Sequence, residues 1–290
     1  MVATVLLCIV IINGMFAFRF IRDFLAHKLD AWKEPGNNIF LALYSVICFF
    51  LSTFGISDFA LSTVVYRVSK IVPDEKLPGT LNTQCVIPVA IMALSYISSI
   101  EVEVVTLISC IIAQVVGAYI GPRFVVKLPA STIRKWISIG LILAAVFVVA
   151  DKFGWLPSGG TARGLHGAKL LIGIVALFIY GALNNIGIGS YAPTMATIYA
   201  LGVNPIVAFP IMMGACTFSV PVGSMQFVKY GAYARKPTFF AATFGVLGVL
   251  LAVYIVKSLN LDMLKWVVAI VVFYTGASML IGELSRKGQR

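Results

Sequence analysis

The stretch "GISDFALSTVVY", from Gly55 to Tyr66, places an aspartate, Asp58, in an otherwise apolar segment. A second stretch, "GIGSYAPTMATI" from Gly187 to Ile198, aligns with it when the chain is shifted by 132 positions. Glycine and polar residues at the same place in two apolar segments indicate two helices that are interrupted inside a hydrophobic environment. A carboxylate at such a break is costly and usually serves a function.

The composition identifies that environment as a lipid bilayer. The chain is 60% hydrophobic and 11% charged, whereas soluble domains carry about 25% charged residues. Apolar runs long enough to cross a bilayer recur throughout, including Val2–Phe18, Thr80–Ile100, Val102–Ile120 and Phe239–Val256. Because basic residues follow Val2–Phe18 rather than precede it, this run predicts a transmembrane helix and not a signal peptide. The fold class is therefore predicted to be an all-α polytopic membrane protein.

The same shift of the sequence reveals a duplication. Pro73 aligns with Pro205 and Pro78 with Pro210, and "RKWISIGLIL" from Arg134 aligns with "LKWVVAIVVF" from Leu264 after a two-residue slip. The alignment predicts two units, each a broken-helix hairpin followed by three transmembrane helices. The predicted regions are an N-terminal transmembrane helix with a cytoplasmic loop (1–38), the first unit (39–151), an extracytoplasmic linker (152–167), the second unit (168–283) and a cytoplasmic tail (284–290).

The distribution of basic residues favours hairpins over simple crossings. With the N-terminus outside, 17 of the 22 Lys and Arg residues fall inside, against 13 if each broken segment crossed once. An odd number of crossings per unit predicts an inverted repeat, which is typical of secondary transporters with a midplane site. The C-terminus is then cytoplasmic, and the net charge of +11 indicates contact with lipid headgroups and no nucleic-acid partner.

Polar residues at and after the two breaks are the candidate substrate-binding groups. Half-helix N-termini attract anions, and amides buried in a bilayer need partners. Single Ser and Thr hydroxyls in membrane helices also bond within their own helix or between helices. The candidates are Asn82, Thr83, Gln84, Asn184, Asn185, Gly187, Gly189, Ser190, Tyr191 and Thr217.

Three roles are open for Asp58. It couples or gates transport by taking up a proton, it caps a helix beginning near Phe59, or the break is shallow and it reaches water. Cys85 and Cys216 occupy nearly equivalent places in the two units. They either contact a sulfur-containing substrate or pack as ordinary buried cysteines.

These segments resemble the sulfite exporter TauE/SafE family, also called the toluene-sulfonate uptake permeases. The matching stretches are "FGISDFALSTVV" with "PGTLNTQ", and "NIGIGSYAPTMATI" with "NPIVAFPIMMGACT", and the resemblance covers nearly the whole chain after the first helix. It implies export or uptake of sulfite, organosulfonates or related small sulfur-containing anions. The chain departs from the family's run of glycines with Ser57-Asp58 at one break and Gly189-Ser190 at the other.

The predicted function is a secondary transporter in the cell membrane that moves a small anion by alternating access, with proton coupling as one alternative. No nucleotide-binding loop, HExxH motif or pair of acids within a span occurs, so we predict no enzyme activity, no cofactor and no metal. An anion channel, or a carrier for a small carboxylate without sulfur, is the alternative function.

Overall fold

A computed structural model describes residues 2–53, 56–96, 102–155 and 160–255, together with residues 273 and 277. In these ranges the chain is helical, and its only β-type pairing is an isolated bridge between Ala162 and Val203. The helices are α1 (Val2–Ala26), α2 (Lys28–Lys33), α3 (Asn38–Ser52), α4 (Asp58–Val68), α5 (Leu77–Tyr96), α6 (Val104–Val125), α7 (Ala130–Lys152), α8 (Gly167–Asn184), α9 (Tyr191–Ala200), α10 (Pro205–Tyr230) and α11 (Arg235–Ile255).

Six helices of the described part are long and apolar enough to cross a membrane. They lie in α1, α5, α6, α8, α10 and α11. The predicted all-α polytopic membrane protein is therefore confirmed. The end of the predicted second unit (168–283), from residue 256 onward, lies outside the described residues apart from two isolated positions.

The centre of the bundle is formed by α5 and α10, most of whose apolar spans are buried inside the protein. The two helices run antiparallel, because Gly79 at the start of α5 touches Ala232, just beyond the end of α10. The N-terminal helix α1 packs on α10, where Asn13 Nδ2 donates a hydrogen bond of 3.2 Å to the carbonyl oxygen of Thr217.

Two helical hairpins flank this centre. In the first hairpin, α3 and α4 lie side by side, with the Tyr44 hydroxyl 2.8 Å from Ser62 Oγ. In the second hairpin, α8 and α9 do the same, with the Tyr180 hydroxyl 2.8 Å from Thr197 Oγ1. The short arms α4 and α9 have 11 and 10 residues, which at about 1.5 Å per residue is roughly half of a bilayer's apolar thickness.

Each hairpin's outer arm packs backbone to backbone against a long helix. A Cβ added at Gly117 of α6 would lie 2.1 Å from the carbonyl oxygen of Phe178 in α8. A Cβ added at Gly248 of α11 would lie 2.2 Å from the carbonyl oxygen of Val46 in α3. Glycine is required at both positions, because any side chain would force the paired helices apart.

The two hairpins open at opposite ends of α5. The first opens where α5 begins: Gly36, just before α3, lies against Leu41 and Ile71, just after α4. The second opens beyond the other end of α5: the backbone of Ala162 pairs with that of Val203, and Glu103 N, between α5 and α6, donates to the Arg163 carbonyl oxygen at 3.1 Å. We call the end of the molecule at which the first hairpin opens the first end, and the end at which the second hairpin opens the second end.

A partly buried ion pair closes the first end. Asp23 Oδ2 of α1 accepts hydrogen bonds from the Tyr233 hydroxyl at 2.5 Å and from Arg235 Nε at 2.7 Å. Burial, and then the hydrogen bond to Asp23, raise the pKa of the Tyr233 hydroxyl above its usual range. Tyr233 therefore stays protonated and remains a donor to Asp23.

Candidate functional site

The two helix breaks meet inside the protein. A Cβ added at Gly189, in the second break, would lie 3.5 Å from Ser57 Oγ and 3.9 Å from Phe59 Cβ at the start of α4. Nearby, Gly187 has a φ of +98°, a conformation that costs other residues energy. The N-terminal ends of α4 and α9 are thus brought together from opposite ends of the molecule.

Asp58 lies at this junction and is 5% exposed, so the alternative in which it reaches water is wrong. Asp58 does not occupy the N-cap position: α4 begins at Asp58 itself, and Ser57 Oγ accepts the capping hydrogen bond from Ala60 N at 3.3 Å, while the Asp58 carboxyl group lies within hydrogen-bond reach of the backbone N–H of Phe59. Asp58 Oδ2 has no hydrogen-bond partner among the described residues. A charge on Asp58 would interact electrostatically with Cys85, Tyr191 and Cys216.

Two asparagines join α5 to the second hairpin, in an arrangement we call the asparagine clamp. Asn184 Nδ2 donates to Asn82 Oδ1 at 2.8 Å, and Asn82 Nδ2 donates to the Asn184 carbonyl oxygen at 3.0 Å. Asn184 Oδ1 also accepts from the backbone N–H of Ser190 at 3.2 Å. The clamp links the two predicted units and fixes the second break against α5.

Gln84 lies in a network confined to the first unit. Its Nε2 donates to Ser62 Oγ at 2.7 Å, and its Oε1 accepts from the Tyr66 hydroxyl at 2.6 Å. Both polar ends of this amide therefore have partners on α4. The arrangement ties α5 to the short arm of the first hairpin.

Asn185 is wedged between three helices. Its Nδ2 donates to the carbonyl oxygens of Gly181, at 2.8 Å, and Ala118, at 3.3 Å. A Cβ added at Gly223 of α10 would lie 2.6 Å from Asn185 Oδ1. These contacts fit a packing role beside the second break.

The structure places a further amide at the second break that the sequence analysis did not single out. Gln114 of α6 is fully buried, and its Nε2 donates to Ser219 Oγ at 3.1 Å and to Ser190 Oγ at 3.4 Å. Cys216 Sγ belongs to the same cluster, 3.4 Å from Gln114 Nε2 and 3.3 Å from Ser190 Oγ. A single glutamine in the apolar run "IIAQVV" is the same kind of signal that drew attention to Asp58.

The remaining candidates divide between the breaks and other interfaces. Thr83 Oγ1 lies 2.8 Å from Thr238 Oγ1 on α11, and Thr217 Oγ1 donates to the Met213 carbonyl oxygen at 2.6 Å. The Thr83 hydroxyl therefore contacts a neighbouring helix, and the Thr217 hydroxyl bonds within α10. Tyr191, in contrast, begins α9 at the break, and its buried hydroxyl has no partner in the described part of the chain. Cys85 Sγ donates to the Asn82 carbonyl oxygen at 3.3 Å, beside the clamp.

The charge around the junction is set by Asp58 and by helix ends. Among the side chains that the structure describes, only Asp58 and Lys236 are both charged and buried. Lys236 lies at the first end, where its Nζ donates to the Gly36 carbonyl oxygen at 2.6 Å. The first turn of α9 contains no acidic residue, so its N-terminus is a source of positive potential that no carboxylate of its own offsets.

An all-helical bundle of apolar spans, with polar residues gathered where two short half-helices meet, defines a multi-pass membrane protein of the transporter class. A family model described as "Sulfite exporter TauE/SafE" matches residues 1–148, and the chain belongs to this family of transporters. The matched residues include α1 and nearly all of the first unit, and the second unit lies beyond them. Neither a search of curated proteins nor a search of solved structures found a match.

Proposed function

We propose that this protein is a secondary transporter that carries sulfite, an organosulfonate or a related small sulfur-containing anion across the cell membrane by alternating access. The observation that carries the proposal is the contact of Gly189 with Ser57 and Phe59, which joins two half-helix N-termini inside the bundle. The family assignment supplies the class of substrate.

The anion binds at the N-terminus of α9 in this proposal. The helix end favours negative charge. The first-turn N–H groups left for an anion are those of Tyr191 and Ala192, because Ser190 N already donates to Asn184 Oδ1 and Pro193 has no N–H. The Ser190 and Tyr191 hydroxyls supply further hydrogen bonds, and Gly187 and Gly189 allow the backbone to approach the substrate closely. Cys216, next to Ser190, is the thiol placed to contact a sulfur-containing group.

Asp58 is the coupling residue in this proposal. An ionised carboxylate beside the junction repels an anionic substrate, and in a low-dielectric site this repulsion is strong. Protonation of Asp58 removes the repulsion, so one proton accompanies each substrate anion. Coupling of this kind needs a carboxylate that is buried and free to change its protonation state, and Asp58 Oδ2 has no partner among the residues described.

The alternating-access step follows from an inverted relationship between the two units. Two features support that relationship. The hairpins open at opposite ends of α5. In addition, Gly248 contacts Val46 and Gly117 contacts Phe178, and Val46 and Phe178 are 132 positions apart. We propose that the first end is cytoplasmic, as the distribution of Lys and Arg predicts. Rocking of the hairpins about the junction then exposes it to each side in turn.

The test is uptake into proteoliposomes of radiolabelled sulfite, ethanesulfonate and acetate, with and without a pH gradient. We expect saturable uptake of the sulfur anions that the gradient stimulates and that Asp58→Asn makes independent of the gradient. Asp30→Asn, which removes a carboxylate with 77% of its side chain exposed, is the matched control and leaves uptake unchanged.

Each outcome of this test decides a separate part of the proposal. Uptake of acetate alone would replace the sulfur substrate with a carboxylate. Uptake with the same gradient response in Asp58→Asn would remove the coupling role of Asp58. Uptake that does not saturate would contradict a carrier and favour a channel.

A further inference from the structure

Gln114 contacts the second break through the NH₂ group of its side-chain amide, and the amide oxygen is left without a partner among the described residues. The side chain is fully buried, and its Nε2 lies within hydrogen-bond distance of Ser190, Cys216 and Ser219. Its Oε1 is buried and has no hydrogen-bond partner among the residues that the structure describes. An unpaired amide oxygen in a bilayer-embedded site is costly, so a native protein retains one where something else completes it.

The orientation of this amide follows from its neighbours. The Ser219 hydroxyl hydrogen is directed to the Cys216 carbonyl oxygen, at 3.4 Å. Ser219 Oγ then accepts the hydrogen bond from Gln114, so the NH₂ group is the end of the amide that faces Ser219, as the structure assigns it. The unpaired atom is thus an acceptor and needs a donor.

Asp58 lies at the same junction. Its Oδ2 is buried and without a partner in the described ranges, and in the proposed mechanism its carboxyl group is protonated when the anion binds, so it donates a hydrogen bond and does not repel the substrate. Positive potential for an anion comes from the end of α9, so the site combines anion attraction with a buried acceptor, Gln114 Oε1, that an anion without a donor group cannot satisfy. A substrate that fits both features carries negative oxygens and also an O–H or N–H group.

We propose that Gln114 is a substrate-binding residue that sets specificity, accepting a hydrogen bond from a donor group on the substrate. The preferred substrates are then small sulfur-containing monoanions that bear an O–H or N–H group, such as hydrogen sulfite or a hydroxy- or amino-alkanesulfonate. The inference rests on the proposed function and narrows its substrate class. A site built to pair with a donor rejects the analogue that lacks it, because the buried acceptor is left unpaired.

The experiment compares two sulfonates of equal charge and nearly equal size, 2-hydroxyethanesulfonate and propane-1-sulfonate. In proteoliposomes of the wild type we expect kcat/KM to favour the hydroxy compound by about ten- to hundredfold, the usual effect of leaving one buried acceptor unpaired. In Gln114→Met, which keeps the side-chain length, we expect the ratio to fall below about threefold, chiefly through loss of the hydroxy compound.

Gln84→Met is the matched control. It removes another fully buried glutamine from a central helix, but both ends of the Gln84 amide already have protein partners. We expect this variant to change the uptake of both sulfonates by the same factor and to leave their ratio at the wild-type value. A merely structural role of Gln114 would make Gln114→Met behave in the same way.

Binding by the wild type gives a second measurement if Gln114→Met does not fold. In detergent, the hydroxy compound should raise the unfolding temperature at a lower concentration than propane-1-sulfonate. Equal transport of the two compounds, together with equal stabilisation by them, would overturn the inference but not the proposed transport function. Uptake of sulfite without uptake of either sulfonate would have the same consequence. If no sulfur anion moves, the proposed function itself is overturned and the inference with it.

Discussion

The first hairpin packs its outer arm, α3, against Gly248 of α11, and the second packs its outer arm, α8, against Gly117 of α6. At their tips the two hairpins differ. The second is bound to α5 by the asparagine clamp. At the positions that correspond to Asn184 and Asn82 under the 132-residue shift, the first hairpin has Ser52 and α10 has Gly214.

The two hairpins therefore share the contacts that pack them into the bundle and differ in the polar residues at their tips. The outer arms rely on backbone contact at glycine, which the two units share, whereas the tips hold different polar side chains. The first tip has no clamp and carries the buried carboxylate of Asp58. The two hairpins are thus joined to α5 by different partners, the second by the asparagine clamp and the first by Gln84, and we expect the first, which carries Asp58, to be the one that responds directly to protonation.

The largest effect is expected where the two hairpins are alike. Gly117→Val and Gly248→Val each place a side chain about 2 Å from a carbonyl oxygen, so each should lower the free energy of unfolding by about 3 kcal/mol or more. Thermal unfolding in detergent measures this. Gly14→Val is the control, since a Cβ there meets nothing within 4 Å. A large loss in only one of the two variants would show that the arms are not held alike.

A smaller effect is expected at the clamp. Asn82→Ala leaves the Asn184 amide and carbonyl without their partner, which should cost about 1–3 kcal/mol. The test is a double-mutant cycle with Asn184→Ala, followed by unfolding in detergent. We expect a coupling energy of about 1 kcal/mol, within the range of hydrogen bonds between membrane helices. Strictly additive losses would mean that the clamp does not hold the second hairpin.

The helix caps provide a finer comparison. Ser57→Ala removes the cap of α4 and should lower stability by about 1 kcal/mol. Gly189→Ala, at the corresponding position before α9, adds a Cβ only 3.5 Å from Ser57 Oγ, which is an ordinary contact, and should not lower stability. Equal losses of unfolding temperature in Ser57→Ala and Gly189→Ala would show that the Ser57 hydroxyl stabilises the protein by packing against the second break and not by capping α4.

The smallest effect is expected for Ser52→Ala. The Ser52 hydroxyl is buried close to the Asp58 carboxyl group but makes no well-formed hydrogen bond within the described residues, so its removal should change stability by less than about 0.5 kcal/mol. The corresponding Asn184→Ala should cost several times more. A loss for Ser52→Ala as large as that for Asn184→Ala would show that the first hairpin is anchored as firmly as the second.

The sequence was sufficient to locate the breaks and the residues beside them. Glycine and polar residues in apolar runs are rare enough that Asp58, Asn184 and Ser190 could be identified without a structure. The hairpins followed from segments too long for one span and too interrupted for two. Periodic apolar runs were also sufficient to predict an all-helical membrane protein.

What the sequence could not provide is which way each side chain faces. Thr83 lies next to Gln84 in the chain, but successive residues of a helix differ by about 100° in direction, and Thr83 contacts α11. The same rotation turns Thr217 away from Cys216 and the break. Gln114 lies in a different helix from either break, so only the packing of α6 against α10 brings it to Ser190.

The bond between Asp23 and Arg235 joins residues 212 positions apart, and this separation has a consequence for biosynthesis. Helix α1 leaves the ribosome long before α11 does, and its exposed side chains include Leu7, Ile11, Phe18 and Ile21. Such a helix is stable in the bilayer on its own. It must wait there, surrounded by lipid, until Arg235 is synthesised and inserted, so assembly of the bundle is completed only in the last part of translation.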